Sequence, residues 1–299
     1  MEKIELFGTD VPLRTHSCSL FGDTPYELEE QDQSVDLYIR TKFCNAKCKF
    51  CIYHSDAEKY NEVKFKEVLK ELTTKIKIRK IAISGGEPTL FWDNFKSLIH
   101  LSKEYSPESE LSMNTDGFRL KELFADPDYK LFDHIHISRH HWDDKINDEI
   151  FGTKTPTGEE LKEISDLTTN DHQIQFRTNL IKGFIDDKEK VFRFLDWSNE
   201  VGINTVGLVS LMPVNDYSKE NFIYFHIKDL KGENFHVTKN WTYKESCECF
   251  NYVYMPPEEK FRRPIRVYHK NAYKPSGVNE TIIFDGENVR LGFGGKIIY

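Results

Sequence analysis

Apolar and polar residues follow two rhythms along the middle of the chain. At 34–40, SVDLYIR alternates residue by residue and is rich in strand formers, which predicts a strand running into residue 41. From 62 to 77, after Asn61, apolar residues recur at steps of three and four, which predicts an amphipathic helix, and KIAIS then reads as a short strand. The unit recurs: FWDNFKSLIHLSKEY as helix, ELSMNT as strand, LKELFA as short helix, HIHIS as strand and 158–169 as helix. QIQFRTNLI is the next strand, KEKVFRFLDWSNEVG a helix ending at Gly202, and TVGLVSLMP the sixth strand. Strands alternating with helices of this length imply βαβ units and parallel pairing, so the fold class is α/β, a partial (βα)6 TIM-like barrel.

The flanks read differently. Gly8, Pro12, Gly22 and Pro25 interrupt any period in residues 1–34, which are expected to form a short strand and an irregular N-terminal cover. After Pro213 the alternation stops. Residues 216–299 read as an irregular α+β C-terminal extension on the substrate side of the barrel (35–215), with ETIIFD and ENVRLGF as a hairpin near Gly286.

At 299 residues the chain is long enough for a full core, and its 30% charged and 38% hydrophobic residues are ordinary for a soluble enzyme. It has no apolar run of membrane-spanning length, and the start lacks the pattern of a signal peptide, so a cytoplasmic location with reduced thiols is expected. A net charge of −8 argues against nucleic acid as a partner, although Lys260, Arg262, Arg263, Arg266, Lys270 and Lys274 could meet an anionic substrate if they are not simply solvated.

The chemistry concentrates in TKFCNAKCKFCIYH at 41–54, where Cys44, Cys48 and Cys51 are spaced CxxxCxxC. Three thiols this close can converge on one metal centre, and three ligands on an iron–sulfur cube leave one iron open. A zinc site completed by His54 uses the same residues. The strand before residue 84 ends in Ser84-Gly85-Gly86-Glu87-Pro88, where paired glycines allow close backbone approach or a tight turn. The next strand ends are Asn114-Thr115-Asp116-Gly117 and Ser138-Arg139-His140-His141, and Arg177 and Asn179 share a face by the strand period.

CxxxCxxC followed one βα unit later by GGEP resembles the radical S-adenosylmethionine (SAM) superfamily. The resemblance covers about residues 35–215. It implies a [4Fe–4S] cluster on Cys44, Cys48 and Cys51, and SAM cleavage to a 5′-deoxyadenosyl radical that abstracts hydrogen from a small metabolite, such as a nucleotide or sugar derivative. A reducing partner such as flavodoxin or ferredoxin would supply the electron. Phe50 would lie against adenine, and Gly85, Gly86 and Glu87 would meet the methionyl amino group. Asn114 and Ser138 would face ribose or carboxylate, Arg177 and Asn179 would form a carboxylate clamp, and Met212 would touch adenine, as in enzymes of the molybdopterin-precursor cyclase type. His140 or His141 would donate a proton near the substrate. Modification of a peptide or protein is the alternative substrate class, and a zinc-stabilised interaction module is the non-enzymatic one. Cys18, Cys247 and Cys249 do not make up an auxiliary-cluster set and read as unliganded thiols.

Overall fold

The computed structural model describes residues 3–12, 34–41, 43–51, 60–168, 173–232, 234–237, 250–257, 263–271, 281–292 and 295–299. The six expected strands form the middle of one sheet: β3 (Ser34–Thr41), β4 (Lys77–Gly85), β5 (Glu110–Thr115), β6 (His134–Ser138), β7 (Ile174–Leu180) and β8 (Thr205–Ser210). Each is parallel to the next, in chain order. The crossovers between them carry α1 (Glu62–Lys75), α2 (Trp92–Tyr105), α3 (Leu120–Ala125), α4 (Asp144–Phe151), α5 (Gly158–Leu167) and α6 (Lys188–Glu200).

The strand period sorts side chains between two faces. Val35, Leu37 and Ile39 of β3 are buried in the core with Phe65, Leu69 and Leu72 of α1 and Phe95 and Leu98 of α2. Asp36 and Tyr38 take the inner face. A register shift between Val35 and Asp36 leaves Arg79 of β4 as the extra residue of a bulge, and its guanidinium grips Asp36 through two bonds of 2.9 and 2.6 Å. Beside it Lys80 meets Glu110 at 2.6 Å, so the inner carboxylates of β3 and β5 each have a cation.

Two features depart from the expected pattern. Helix α4 is not among the expected elements, although Asp143 caps it by accepting from the N–H groups of Lys145 and Ile146, and Gly152 ends it in the left-handed region (φ 65°). The C-terminal residues also extend the sheet at both edges. After the short helices α7 (Asp216–Glu220) and α8 (Ile227–Leu230), β11 (Ile265–Lys270) runs parallel to β8 and β12 (Thr281–Phe284) parallel to β3, giving eight parallel strands. Antiparallel β10 (Phe250–Tyr254) and β9 (Phe235–Val237) follow on one side, and β13 (Val289–Leu291) pairs with β12 on the other as the expected hairpin. Pairing of such short strands depends on distant partners, which local periodicity does not encode.

The N-terminal region begins with a separate hairpin of β1 (Lys3–Leu6) and β2 (Thr9–Pro12). Both turn residues, Phe7 and Gly8, have positive φ (51° and 69°), as a two-residue turn of this hand needs. Phe7 is held there by stacking on Tyr299 at 4.7 Å and by its N–H, which donates to Glu71 Oε1 at 2.9 Å. No helix among the described residues is long and apolar enough to cross a membrane.

Candidate metal and cofactor site

The cysteine loop leaves the C-terminal end of β3 and is tied to the ends of the neighbouring strands in turn. Gly86 N–H donates to Thr41 O (2.7 Å) and Glu87 N–H to Phe43 O (2.6 Å). A Cβ on Gly86 would lie 1.8 Å from Phe43 O, and one on Gly85, whose φ is 111°, 2.3 Å from Thr41 O. The paired glycines therefore admit the cysteine loop itself, a close approach expected from sequence for a ligand. Farther along, Lys47 N–H donates to Phe151 O of α4 (2.7 Å), and Asn215, just after β8, donates from Nδ2 to Lys49 O (3.1 Å). Ala46 and Cys48 are buried with Ile150, Phe151, Ile181 and Leu211, which keep water from the loop's underside.

Cys44, Cys48 and Cys51 are thiols outside any disulfide, Cys48 buried and the others half-buried. Burial pushes Cys44 up to about 12, and the charges of Asp116, Glu87 and Cys51 act the same way. Cys48 is raised further by burial, then by Cys51 and Cys44. A donor set so reluctant to ionise alone needs the positive charge of a metal centre to displace its protons. Among the described residues no three of His, Cys, Asp and Glu converge as ligands of one ion would. Three thiols spread along one loop suit the corners of a polynuclear cluster. His54, the fourth ligand of a zinc reading, lies outside the described residues, as do Cys18, Cys247 and Cys249.

Glu87 is 1% exposed and its side chain turns away from the loop. Its Oε1 accepts from Thr89 N–H (3.0 Å) and Thr89 Oγ1 (2.6 Å), and its Oε2 from Thr115 Oγ1 (2.8 Å) and Asp116 N–H (2.7 Å). Burial, then the adjacent Asp116, pushes Glu87 up to about 8. The carboxyl thus staples the turn after β4 to the turn after β5, leaving only backbone from Gly85-Gly86-Glu87 for a ligand. Asn114 Nδ2 donates to Ser84 Oγ at 3.0 Å, and Ser138, half-buried, stands in register with Arg177.

His140 and His141, one of which was expected as a proton donor, lie beyond the end of β6 and are buried. Asn179 N–H donates to His140 Nδ1 (3.1 Å), and Asp143 N–H to His141 Nδ1 (3.0 Å), so both rings already serve as acceptors. Burial lowers His140 to about 3 and His141 to about 4, which keeps both neutral. His140 stacks on Phe151 (4.8 Å) and meets Phe50 edge-on (5.3 Å). Sequence reading missed the residues that hold this turn. Asn147 Oδ1 accepts from His140 N–H (2.8 Å) and His141 N–H (3.2 Å), and buried Arg139 donates to His141 O, Pro156 O, Trp142 O and Asp144.

Arg177 and Asn179 share the inner face of β7, as expected, at different depths. Arg177 lies deeper: its Nη2 donates to His136 Nε2 (3.2 Å), and burial lowers it to about 10. Met212, expected to touch adenine, is 45% exposed, and its carbonyl accepts from Val214 N–H (2.7 Å).

Residues 38–223 match the model of the Radical SAM superfamily. A protein assigned as a GTP 3′,8-cyclase from Sulfolobus acidocaldarius is 27% identical over 216 residues, covering 69% of this chain and 64% of that protein. One assigned as a glycyl-radical enzyme activating enzyme from Methanocaldococcus jannaschii is 30% identical over 191 residues, covering 61% and 71%. Among solved structures, Streptococcus suis SuiB bound to S-adenosylmethionine superposes with a TM-score of 0.52 at 17% identity, over 67% of this chain and 45% of SuiB, a likeness of fold.

Proposed function

Because this chain belongs to the radical SAM superfamily, whose members are enzymes using a [4Fe–4S] cluster and SAM, we propose that Cys44, Cys48 and Cys51 hold that cluster and that the strand ends β4 to β8 bind SAM beside it. The carrying observation is the loop's attachment to β3, β4, α4 and the segment after β8, which fixes three thiols over one sheet end. When bound, the cluster supplies one electron for cleaving SAM to methionine and a 5′-deoxyadenosyl radical.

The chain's own residues bind, orient and seal. Phe50, wedged by His140, offers an aromatic edge for adenine, and Ser84, Asn114 and Ser138 offer polar groups to ribose or carboxylate. The apolar packing under the loop excludes water that would quench a radical. The substrate is a small metabolite, a nucleotide or sugar derivative, a reading supported by the match to a protein assigned as a GTP cyclase. Modification of a peptide is a second reading, which exposed Phe43, Phe118 and Met212 on the strand-end loops favour. Flavodoxin or ferredoxin would act as reductant in the cytosol.

The test is anaerobic incubation of reconstituted protein, reductant and SAM with size-fractionated cell extract, following 5′-deoxyadenosine release. Stimulation by the small-molecule fraction alone is expected, and stimulation by the peptide fraction alone would overturn the small-metabolite reading.

A further inference from the structure

The inner face of the sheet is electrostatically lopsided. On β3 and β5 the inward carboxylates Asp36 and Glu110 are matched by Arg79 and Lys80. From β6 onward the strand sequences HIHIS, IQFRTNL, TVGLVS and IRVYHK contain no carboxylate, in a chain with net charge −8. Strands disfavour Asp and Glu in general, so composition alone decides nothing. Placement decides more. In register, Arg177 of β7 faces Gly207 of β8, which faces Tyr268 of β11, and one step nearer the cysteine loop the row is Asn179, Val209 and Lys270.

That second row leads to the proposed cofactor site, because Asn179 N–H bonds His140, whose ring meets Phe50. Two strand spacings, about 10 Å, separate Asn179 from Lys270. The floor between them is low. A Cβ on Gly207 would come within 3.1 Å of Arg177 Cδ, so the bare Cα is what lets the Arg177 side chain lie flat across β8. Ile265, Val267 and His269 face the opposite side, where Ile265 and Val267 join the core and His269 stacks on Phe250, which fixes Tyr268 and Lys270 on the inner face. Past that bare Cα, half-buried Lys270 of β11 stands at the far end of the Asn179–Val209 row.

We propose, on the reading of this site as a radical SAM centre, that the substrate is an anion whose phosphate or carboxylate group is held by Lys270 beside Tyr268, with its reacting end directed along the Asn179 row toward the cysteine loop. The anchor is supplied by β11, outside the strands that carry the cysteine, glycine and histidine motifs. A compact ammonium suits either oxyanion as a point charge.

The test uses reconstituted holoprotein saturated with SAM, titrated calorimetrically with ribose 5-phosphate, glutarate and neutral ribose. At least one anion should bind tenfold or more tightly than ribose, and which one does so identifies phosphate or carboxylate as the recognised group. Lys270→Gln should weaken that anion at least tenfold while SAM affinity and iron content stay within twofold of wild type. Lys270→Arg should restore most of the anion affinity, and Lys66→Gln on the exposed face of α1 should change nothing. Equal binding of anions and ribose, or full anion affinity in Lys270→Gln, overturns the proposal. Loss of anion affinity in Lys270→Arg as well as Lys270→Gln, with SAM binding also lost, assigns Lys270 a structural role and equally overturns it. Failure of the wild type to bind SAM or iron refutes the underlying reading instead.

Discussion

Replacing Glu87 with alanine should unfasten two of the turns that surround the cysteine loop. The side chain accepts four bonds, two from the backbone N–H groups of Thr89 and Asp116 and two from the hydroxyls of Thr89 and Thr115. The hydroxyls can rotate toward other acceptors, whereas the two amides stay buried and unpaired. At about 1–3 kcal/mol for each orphaned donor, the loss is about 2–6 kcal/mol. Glu87→Gln should recover only part of that, because its one carbonyl oxygen replaces one carboxyl oxygen while its NH2 faces the backbone N–H that the other oxygen accepted. Urea unfolding followed by circular dichroism measures both variants, and calorimetry on reconstituted protein measures SAM affinity, which should fall at least tenfold for alanine. A Glu87→Ala protein within about 0.5 kcal/mol of wild type would refute the stapling argument, since that is the range of ordinary surface substitutions.

Arg177→Ala should weaken SAM binding by about 1.5–3 kcal/mol, the worth of a charge-assisted bond to the SAM carboxylate, while iron content is unchanged. Unaltered SAM affinity would confine Arg177 to its contacts with His136 and the inner face. Stability should also depend on pH from two directions. Burial lowers His140 and His269 to about 3, so their contribution is complete above the unfolded value near 6.5 and is lost as pH falls. The loss is about 2 kcal/mol between pH 6.5 and 5.5 for the two together. Glu87, raised to about 8, contributes fully below its unfolded value near 4.5 and loses that contribution as pH rises through 8. Urea midpoints between pH 5 and 9 should therefore peak near neutrality, and a midpoint still rising below pH 6 would show that the buried imidazoles are not held neutral.

What the sequence could show followed from how local each signal was. Residues 110–115, 120–125 and 134–138 were bounded as the structure has them, because β5, α3 and β6 each carry a clean period between breakers. The cysteine spacing and the two glycines after β4 were readable for the same reason. Helix α4 was hidden because its eight residues hold few apolar positions, although Asp143 and Gly152 were usable cap signals. The roles of His140, Arg139 and Asn147 were illegible, since each is set by a partner that only the folded turn brings near. The C-terminus is tied down at its end. Val289 N–H donates to Tyr299 O, and Tyr299 Oη to Glu67 Oε2 at 2.7 Å. Gly292 and Gly295 are placed, while Phe293 and Gly294 lie outside the described residues.

The central claim, that Cys44, Cys48 and Cys51 hold the cluster on which SAM is cleaved, is tested most directly by anaerobic reconstitution of wild type and of the triple Cys→Ala variant. Wild type should bind about four iron and four sulfide per chain and release 5′-deoxyadenosine from SAM once reduced, and the triple variant should do neither. Retention of about four iron per chain by the triple variant would contradict the account and move the metal centre to other residues.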